Sequence, residues 1–451
     1  MMYLSEIAKA TGGTLIGADV LVQSVGTDSR KLEPAQLFVA LKGERFDGHD
    51  YAQDVLNQGA AALLLSRAVG AGPAVLVEDT RLALGQLAAY WRRKFNIPVA
   101  AITGSNGKTS VKEMLAAILR VAAGADDAVL ATQGNLNNDI GLPLTLLRLR
   151  ERHRYAAVEM GMNHFGEISY LTRIGRPDVA LINNATSAHL GGLGSVEGVA
   201  KAKGEIFEGL ADDGVAVINA DDAFAGLWQS LAGRHRIVRF GLNAGGDVTA
   251  DYALHSEGSD LQLSTPAGEC ALRLPVPGLH NIRNALAATA AALSMGVPLD
   301  AVAGGLAGFS GVKGRLQRKS GRRGALLIDD TYNANPASMR AAIDVLASQS
   351  GKRLLVVGDM GELGENEAAL HAELGAYAKA AGVDALHALG VLSAKAVEAY
   401  GSGASHHETV ESLAAFLLPA LDADTVVLVK GSRFMCMERV VDLLQEQKEK
   451  P

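Results

Sequence analysis

Short runs of consecutive apolar residues alternate with longer segments of helical periodicity along most of the chain, and this alternation predicts strands joined by helices. Up to about residue 80 the runs are brief and mixed with turns, at 20–22, 36–41, 61–65 and 74–77. From there the apolar runs at 97–102, 128–131, 155–160, 178–182 and 214–218 are separated by helical segments. Uninterrupted apolar strands of this kind are typical of a mainly parallel sheet that is covered on both faces.

The pattern changes twice in the second half. Alternating runs at 260–264 and 270–274 predict an antiparallel extension, and a helix is predicted from His280 to Met295. The basic, glycine-rich segment 311–315 then marks a boundary, after which a second series of strands begins at 325–330, 353–359 and 425–430. This series predicts a separate, Rossmann-like domain with its own sheet.

A glycine-rich turn joins the strand that begins near residue 97 to the helix that follows it, with the sequence Gly104-Ser105-Asn106-Gly107-Lys108-Thr109-Ser110. The backbone N–H groups of such a turn converge on phosphate oxygens, the lysine adds a positive charge, and the threonine hydroxyl serves a phosphate-bound Mg²⁺. The first glycine stands closer to the Gly-Lys-Thr triplet than in the general P-loop pattern. A plain turn with a surface lysine is the less favoured interpretation, because the triplet lies between a strand and a helix.

These patterns together predict an α/β protein of three domains. They are a small N-terminal α/β domain (1–80), a central P-loop ATPase domain with a mainly parallel sheet (81–312), and a C-terminal Rossmann-like domain (313–451).

The amino-acid composition and the net charge exclude some classes of function. Of the 451 residues 48% are hydrophobic and 20% are charged, and the net charge of -7 gives no general attraction for nucleic acid or an anionic membrane. Cys270 and Cys436 are isolated in the sequence, which suits reduced thiols in the cytoplasm. No apolar run approaches the roughly 18 residues that a membrane span needs. We therefore expect a cytoplasmic protein with no nucleic-acid partner and no membrane span.

Polar residues follow each strand of the central series, and in a parallel sheet such residues meet at the carboxyl edge. We expect one crevice to be lined by Lys108 and Thr109, by Asn135, Asn137 and Asn138, by Glu159 and Asn163, by Asn183, Asn184 and His189, and by Asn219, Asp221 and Asp222. Within it, Glu159 and His189 suit a divalent ion, although each alone is more often structural.

Three further segments are candidates for binding. Ser29 with Arg30 or Lys42 suits a diphosphate, and solvated turns are nearly as good an interpretation. Asp329-Asp330-Thr331-Tyr332-Asn333-Ala334-Asn335-Pro336 suits ribose, Mg²⁺ or an amino-acid substrate, although a helix-capping turn explains part of it. Lys430-Gly431-Ser432-Arg433 suits an anion. Lys201 and Lys203 lie on a helix predicted from Ser195 to Leu210 and, taken alone, indicate a solvated basic face.

The motifs taken together resemble those of the Mur ligases, the ATP-dependent ligases that build the peptide of the peptidoglycan precursor. The resemblance runs from Thr27 to Arg433 and includes the short glycine loop, which is usual in this family. It is carried by the glycine loop, Thr132-Gln-Gly-Asn-Leu-Asn-Asn138, Glu159-Met-Gly-Met-Asn-His164, the His189 loop, Ala202-Lys-Gly-Glu-Ile-Phe207, Gly278-Leu-His-Asn-Ile-Arg-Asn-Ala285, Gly314-Arg315, the segment 329–336 and Lys430-Gly-Ser-Arg433. The segments 329–336 and 202–207 most resemble those of the members that join D-alanyl-D-alanine to UDP-N-acetylmuramoyl-tripeptide.

The resemblance implies roles for individual residues. Ser29, Arg30 and Lys42 would lie at the UDP-sugar, Thr132, Asn135, Asn137 and Asn138 near the sugar-peptide, and Asn333, Asn335 and Arg433 at the dipeptide. Residues 104–110, Asn281, Arg315 and Asp330 would bind ATP, and Thr109, Glu159, His189 and Lys203 would hold Mg²⁺, with Lys203 converted to a carbamate. Lys108, Glu159, His189 and Lys203 would be catalytic.

The implied reaction follows from the bond that is made. An unactivated carboxylate does not acylate an amine at neutral pH, so it first becomes an acyl phosphate at the expense of ATP, and the dipeptide amine then displaces phosphate. Three alternatives stay open: a sister ligase that adds one amino acid, folylpolyglutamate synthase, and a nucleotide-binding switch or kinase that uses the same loop. We expect a monomer.

Overall fold

The structure is a computed structural model that describes residues 1–70, 72–186, 190–243 and 245–446. It has three α/β domains in chain order, as the apolar pattern predicts, and each domain is built on a sheet of its own. Among the described residues, no helix is both long and apolar enough to cross a bilayer. The limits of 1–80, 81–312 and 313–451 remain predictions.

The N-terminal domain contains a five-stranded sheet in the order β2-β7-β6-β5-β4, parallel except for the antiparallel pair β2 and β7. Its elements are β1 (Met2–Tyr3), α1 (Leu4–Thr11), β2 (Thr14–Ile16), β3 (Leu21–Val22), β4 (Ser24–Gly26), β5 (Gln36–Val39), α2 (Ala52–Asn57), β6 (Ala62–Leu65) and β7 (Ala74–Leu76). One face of the sheet packs on α2. The other face joins a hydrophobic core that continues into the central domain.

The central domain contains a fully parallel sheet in the order β13-β12-β11-β8-β10-β9. Its elements are α3 (Thr80–Arg92), β8 (Val99–Thr103), α4 (Lys108–Ala123), β9 (Val129–Ala131), α5 (Gly141–Leu146), β10 (Tyr155–Glu159), α6 (Glu167–Gly175), β11 (Val179–Ile182), α7 (Leu190–Leu193), α8 (Val196–Gly204), β12 (Val215–Asn219), α9 (Ala225–Ala232), β13 (Arg236–Phe240), β14 (Thr249–His255), β15 (Gly258–Thr265), β16 (Gly268–Leu274), α10 (Leu279–Ser294) and α11 (Leu299–Ala307). Strands β14 to β16 form the predicted antiparallel extension.

Strand β8 lies inside this sheet, with β10 on one side and β11 on the other. One face packs on α3, α5, α6, α8 and α9, and the opposite face packs on α4, α10 and α11. The chain leaves β8 for the edge strand β9 and later returns to its other side as β11. Such a reversal opens a crevice at the carboxyl ends of the strands, which is where ligands bind in sheets of this type.

The C-terminal domain has a sheet in the order β17-β18-β22-β19-β20-β21, parallel except for β17. Its elements are β17 (Gln317–Ser320), β18 (Leu326–Asp330), α12 (Pro336–Ala347), β19 (Lys352–Gly358), α13 (Glu367–Ala380), β20 (Ala385–Leu389), α14 (Ala394–Tyr400), β21 (Ala404–His407), α15 (Val410–Leu417), β22 (Thr425–Lys430) and α16 (Glu438–Leu444). Helices α12 to α14 cover one face, and α15 and α16 cover the other.

The helix predicted from Ser195 to Leu210 is shorter than expected. Helix α8 ends at Gly204, and a 3₁₀ helix over Glu205–Gly209 replaces its last turn. Glu205 accepts hydrogen bonds from the backbone N–H groups of Gly166 and Ser169 at the start of α6, so this segment is held by a neighbouring helix. The residues here have adequate helix propensity, and the tertiary contact decides the conformation.

A buried histidine lies on β20, next to the edge strand β21 of the C-terminal sheet. His387 on β20 shares a hydrogen bond with Ser405 (2.8 Å) and packs against the rings of His407 and Phe416. Burial, with the nearby charges of His407 and Lys352, lowers the pKa of His387 to about 4. The unfolded chain, in which this pKa is about 6.5, therefore takes up the proton first as the pH falls.

We predict that His387 makes the protein less stable as the pH falls from 6.5 towards 4, by about 2 kcal/mol at pH 5 relative to pH 7.5. The loss is measured as the difference in the free energy of unfolding by urea at the two pH values. His387→Gln, which cannot titrate, is expected to lose about 2 kcal/mol less. An equal loss in both proteins contradicts the prediction.

Candidate active site

The glycine loop, hereafter the phosphate loop, connects β8 to α4. Amide side chains from other elements fix its shape. Gly107 has φ +78°, and a Cβ atom there would lie 2.4 Å from Oδ1 of Asn284 and 2.5 Å from Nδ2 of Asn183. Only glycine therefore fits this position. Nζ of Lys108 donates to the carbonyl oxygen of Gly104 at 2.6 Å and to that of Ser105 at 3.3 Å. The lysine thus lies over the concave side of the loop, where a phosphate would take these donors.

A chain of asparagine amides fixes the loop from behind. Asn183 and Asn184, which follow β11, donate through Nδ2 to the carbonyl oxygen of Asn106 at 2.9 and 3.0 Å. Asn183 also donates to Oδ1 of Asn284 at 3.0 Å, and Asn284 donates to Asn281 at 3.3 Å. Asn183, Asn281 and Asn284 are all buried. Asn281, which is predicted to bind ATP, and the phosphate loop thus belong to one hydrogen-bonded network.

Glu159 ends β10 and joins three of the predicted site elements. Its Oε2 accepts from the hydroxyl of Thr109 at 2.9 Å, its Oε1 accepts from Nδ2 of Asn137 at 2.8 Å, and its backbone N–H donates to Oγ1 of Thr132 at 2.9 Å. The parallel register places Glu159 beside Ile102. Its carboxylate therefore lies against the first turn of α4, as the sequence predicts. His189, its expected partner, lies outside the described residues.

Positive charge is concentrated around the phosphate loop. Lys203, on the last turn of α8, has 2% of its surface exposed. Burial lowers the pKa of Lys203 well below its usual value, and the charge of Lys108 adds to that effect. Burial also lowers the pKa of Lys108, opposed by Glu159 and reinforced by Arg315. The charges of Lys108 and Arg315, opposed by the carboxylate of Glu159, leave a net positive centre that suits a triphosphate.

The C-terminal domain reaches this centre directly. Arg315 donates through Nη2 to Oγ1 of Thr109 at 3.0 Å, and its guanidinium lies 4.3 Å from the ring centroid of Tyr332. Among the described residues, no acceptor binds the buried Nε of Arg315, which leaves a donor for an anion. Asn335 donates through Nδ2 to Oδ1 of Asn106 at 2.7 Å. Two residues that follow the domain boundary therefore touch the phosphate loop.

Models of the Mur ligase family match almost the whole chain: a catalytic domain at residues 21–92, a middle domain at 102–292 and a glutamate ligase domain at 314–433. The chain belongs to the Mur ligase family. UDP-N-acetylmuramoyl-tripeptide–D-alanyl-D-alanine ligase of Escherichia coli (strain K12) is 48% identical to it over 98% of both chains. A crystal structure of MurF from Acinetobacter baumannii has 40% identity and a TM-score of 0.91 over 98% of each chain. MurF from Thermotoga maritima, in complex with ADP, has 29% identity and a TM-score of 0.82, covering 94% of this chain and 97% of that one.

The predicted dipeptide residues of this Mur ligase lie together at the carboxyl edge of the C-terminal sheet. The carbonyl oxygen of Asn333 accepts from Lys430 at 2.9 Å, and its Oδ1 accepts from the backbone N–H of Arg433 at 3.3 Å. Asp330 is paired with Lys430 at 2.6 Å and accepts from the backbone N–H of Leu316 at 3.1 Å. The carboxylate of Asp330 would have to exchange one of these partners to bind a ribose.

Other predicted residues have different neighbours. Asn138 accepts from the backbone N–H of Gly141, the first residue of α5, at 2.9 Å, while Asn135 is exposed in the same loop. Asp221 does not face the β8 crevice. Its carboxylate accepts from the N–H groups of Leu242 and Asn243 after the edge strand β13, so the prediction of one shared crevice is wrong for this residue. The prediction fails because the side chain of Asp221 turns towards the edge strand β13, whereas Asn219, at the end of β12, donates to the carbonyl oxygen of Asn183 at 2.8 Å.

In the N-terminal domain, Ser29 and Arg30 follow β4, and Lys42 follows the neighbouring strand β5. Both segments therefore lie at the carboxyl edge of the sheet. Arg30 binds Asp28 through two hydrogen bonds of 2.8 and 3.0 Å, so its charge is partly neutralised.

Two buried residues near the predicted sites were not predicted. His49 accepts from the backbone N–H of Ser66 at 2.9 Å and donates to Asp47 at 2.6 Å, which joins the loops that follow β5 and β6. Lys112 on α4 is completely buried. The sequence does contain an indication that Lys112 is buried, because Lys112 shares the apolar face of its helix with Leu115 and Leu119.

We predict that Asn335→Asp opens the contact between the C-terminal domain and the phosphate loop and leaves α12 capped. The aspartate keeps an Oδ1 acceptor for the N–H of Ser338 (2.9 Å), but it has no donor for Asn106. A hydrogen bond of this kind contributes about 0.5–1.5 kcal/mol, so the open population should rise roughly twofold to tenfold.

Small-angle X-ray scattering of the nucleotide-free protein measures this opening as an increase in the radius of gyration. Ser338→Ala is the control, because it removes the reciprocal cap bond to the Asn335 N–H (3.0 Å) and leaves the contact with Asn106 in place. An unchanged radius of gyration in Asn335→Asp means that this hydrogen bond does not hold the domains together.

Proposed function

We propose that this chain joins D-alanyl-D-alanine to UDP-N-acetylmuramoyl-tripeptide, with ATP cleaved to ADP and phosphate, in peptidoglycan precursor synthesis. The observation that carries the proposal is the match, over 98% of both chains, to a ligase of that name at 48% identity. The geometry supports it, because the phosphate loop, the carboxylate of Glu159 and the C-terminal residues Arg315 and Asn335 converge on one centre.

In the first half of the reaction, the phosphate loop binds ATP and stabilises the transfer of its γ-phosphoryl group. On nucleotide binding Lys108 exchanges its bonds to the carbonyl oxygens of Gly104 and Ser105 for phosphate oxygens. Arg315 brings a second positive charge from the C-terminal domain. The γ-phosphoryl group then passes to the sugar-peptide carboxylate, and these charges stabilise the negative charge on the phosphoryl oxygens in the transition state.

The residues beside the loop fit Mg²⁺. Thr109 and Glu159 present oxygen ligands 2.9 Å apart at the first turn of α4. Among the described residues, no cluster of three His, Cys, Asp or Glu side chains would hold a metal by itself, and phosphate oxygens of ATP would add ligands to the ion. Thr109, Glu159 and a carbamate on Lys203 would hold the ion, which when bound neutralises phosphate charge. The predicted fourth ligand, His189, is outside the described residues.

The second half of the reaction needs the C-terminal domain. Asn333 and Arg433 lie at the carboxyl edge of its sheet, on the same domain as Arg315 and Asn335. A dipeptide held there approaches the acyl phosphate as the domain closes over the phosphate loop. Its amine attacks the acyl carbon, a tetrahedral intermediate forms, and phosphate leaves. Closure also excludes water, which would otherwise hydrolyse the acyl phosphate.

Phosphate release measured with each substrate omitted in turn tests the function. We expect full release only when ATP, D-alanyl-D-alanine and the UDP-sugar-tripeptide are present together, with the tripeptide supplied in its lysine and meso-diaminopimelate forms. Lys108→Ala should abolish release, and its fold is checked by circular dichroism. Release with a single amino acid indicates a sister ligase, and release with a folate and glutamate indicates folylpolyglutamate synthase. No substrate-dependent release indicates a nucleotide-binding switch.

The carbamate on Lys203 is proposed on the chemistry of its site. A neutral amine adds CO₂ to give a carbamate and a proton, and burial favours that neutral amine by lowering the pKa of Lys203. The product is an anion, which would be stabilised by the positive charge of Lys108.

We predict that Lys203→Ala lowers kcat by at least about 100-fold, because a charge that orders the transition state is lost. Lys201→Ala is the matched control, since Lys201 is exposed on the same helix and pairs with Glu197 at 2.7 Å. The carbamate itself is measured by ¹³C NMR after incubation with ¹³C-bicarbonate. A carbamate resonance in Lys203→Ala, or none in the unaltered protein, contradicts the assignment.

A further inference from the structure

Lys112 is a buried lysine that the proposed mechanism does not use. It lies on α4 one helical turn after Lys108, and none of its surface is exposed. Burial of an ammonium group is unfavourable unless partners compensate for the lost hydration. Lys112 has two such partners, the carboxylate of Glu113 and the backbone carbonyl oxygen of Thr132, the latter at 2.7 Å. A buried charge at this position lowers the stability of the fold. We therefore expect the contact between Lys112 and the carbonyl oxygen of Thr132 to have a function.

Thr132 is a fixed point between two strands of the central sheet. It directly follows β9, and it is buried. Its N–H donates to the carbonyl oxygen of Ala157 at 3.1 Å, and its hydroxyl oxygen accepts from the N–H of Glu159 at 2.9 Å. With its carbonyl oxygen bound by Lys112, Thr132 links α4 to the end of β10.

The link through Thr132 closes a ring around Glu159. The carboxylate of Glu159 accepts from Thr109, which lies on α4 three residues before Lys112, and from Asn137 in the loop after Thr132. Helix α4 therefore holds the end of β10 at two points, directly through Thr109 and indirectly through Lys112 and Thr132. Two attachments on successive turns of one helix fix both the distance and the rotation of Glu159 relative to the phosphate loop.

We propose that Lys112 is a positioning residue, which holds Glu159 and the loop 132–138 in register with the phosphate loop. This inference rests on the proposed function, in which that loop binds the sugar-peptide and the phosphate loop binds ATP. The carboxylate to be activated and the γ-phosphate are then bound at a fixed separation. A displacement of about 1 Å between reacting groups costs on the order of 100-fold in rate, so a rigid connection between the two loops has a direct catalytic value.

Lys112→Met tests the proposal, because methionine retains an unbranched apolar chain and removes the ammonium group. We expect the KM for the UDP-sugar-tripeptide and the Mg²⁺ concentration for half-maximal rate each to rise at least about fivefold. The KM for ATP should stay within about twofold, because the amides of Asn183 and Asn184 hold the phosphate loop independently. Lys201→Met, an exposed and ion-paired lysine, is the matched control and should match the unaltered protein.

Equal rises in the KM values of ATP and the sugar-peptide, with a lower melting temperature, would show a general structural role and overturn the proposal. Unaltered values of all three quantities would also overturn it. Lys112→Gln, which is uncharged but still carries a donor, serves as the second variant should Lys112→Met not fold. It should show a smaller rise in the same two quantities, and unaltered values again count against the proposal.

A double-mutant cycle checks that Lys112 acts through Thr132. Thr132→Val removes the acceptor for the Glu159 N–H and keeps the carbonyl oxygen that Lys112 binds. The effect of Lys112→Met on the Mg²⁺ requirement should be smaller in the Thr132→Val background. Additive effects of the two substitutions would show that Lys112 does not act through Thr132. Failure of the proposed function is distinguishable, because the unaltered protein would then show no phosphate release that depends on all three substrates.

Discussion

The phosphate loop of this Mur ligase takes its shape from amide groups outside the loop. Asn183 and Asn284 pack so closely on Gly107 that a Cβ atom would overlap them, and Asn183 and Asn184 both bind the carbonyl oxygen of Asn106. A buried network of this kind is rigid when every donor has an acceptor. The phosphate-binding N–H groups are thereby oriented before the nucleotide arrives, which lowers the reorganisation needed in the transition state.

The same loop organises the charges of the site. Lys108, Lys203 and Arg315 come from three different parts of the chain, and the carboxylate of Glu159 opposes the charge of Arg315 at Lys108. Each cation lowers the proton affinity of its neighbour, as the effects of Arg315 on Lys108 and of Lys108 on Lys203 show. The centre thus has a net positive charge, which the negative charges of the triphosphate and of the proposed carbamate would balance. Activation of a carboxylate benefits from this arrangement, because negative charge develops on the phosphoryl oxygens.

Two outer domains meet this centre differently. The N-terminal domain shares one hydrophobic core with the central domain, so the two are packed as a unit. The C-terminal domain has cores of its own and meets the phosphate loop through polar contacts, notably Asn335 with Asn106 and Arg315 with Thr109. Polar contacts exchange with water at little cost, whereas an apolar core does not. The domain proposed to carry the dipeptide is therefore the one suited to open and close.

The sequence alone determined the α/β class, the three domains, the phosphate loop and most strands, because apolar runs and Gly-Lys-Thr are local signals. It also predicted that Thr109, Asn137 and Glu159 meet, since parallel strands share a carboxyl edge. Only the tertiary structure decided that α8 stops at Gly204, that Asp221 turns to β13, and that Lys112 lies buried beneath Thr132. Each of these depends on a partner distant in sequence, and a buried polar group takes the partner that folding brings within hydrogen-bonding distance.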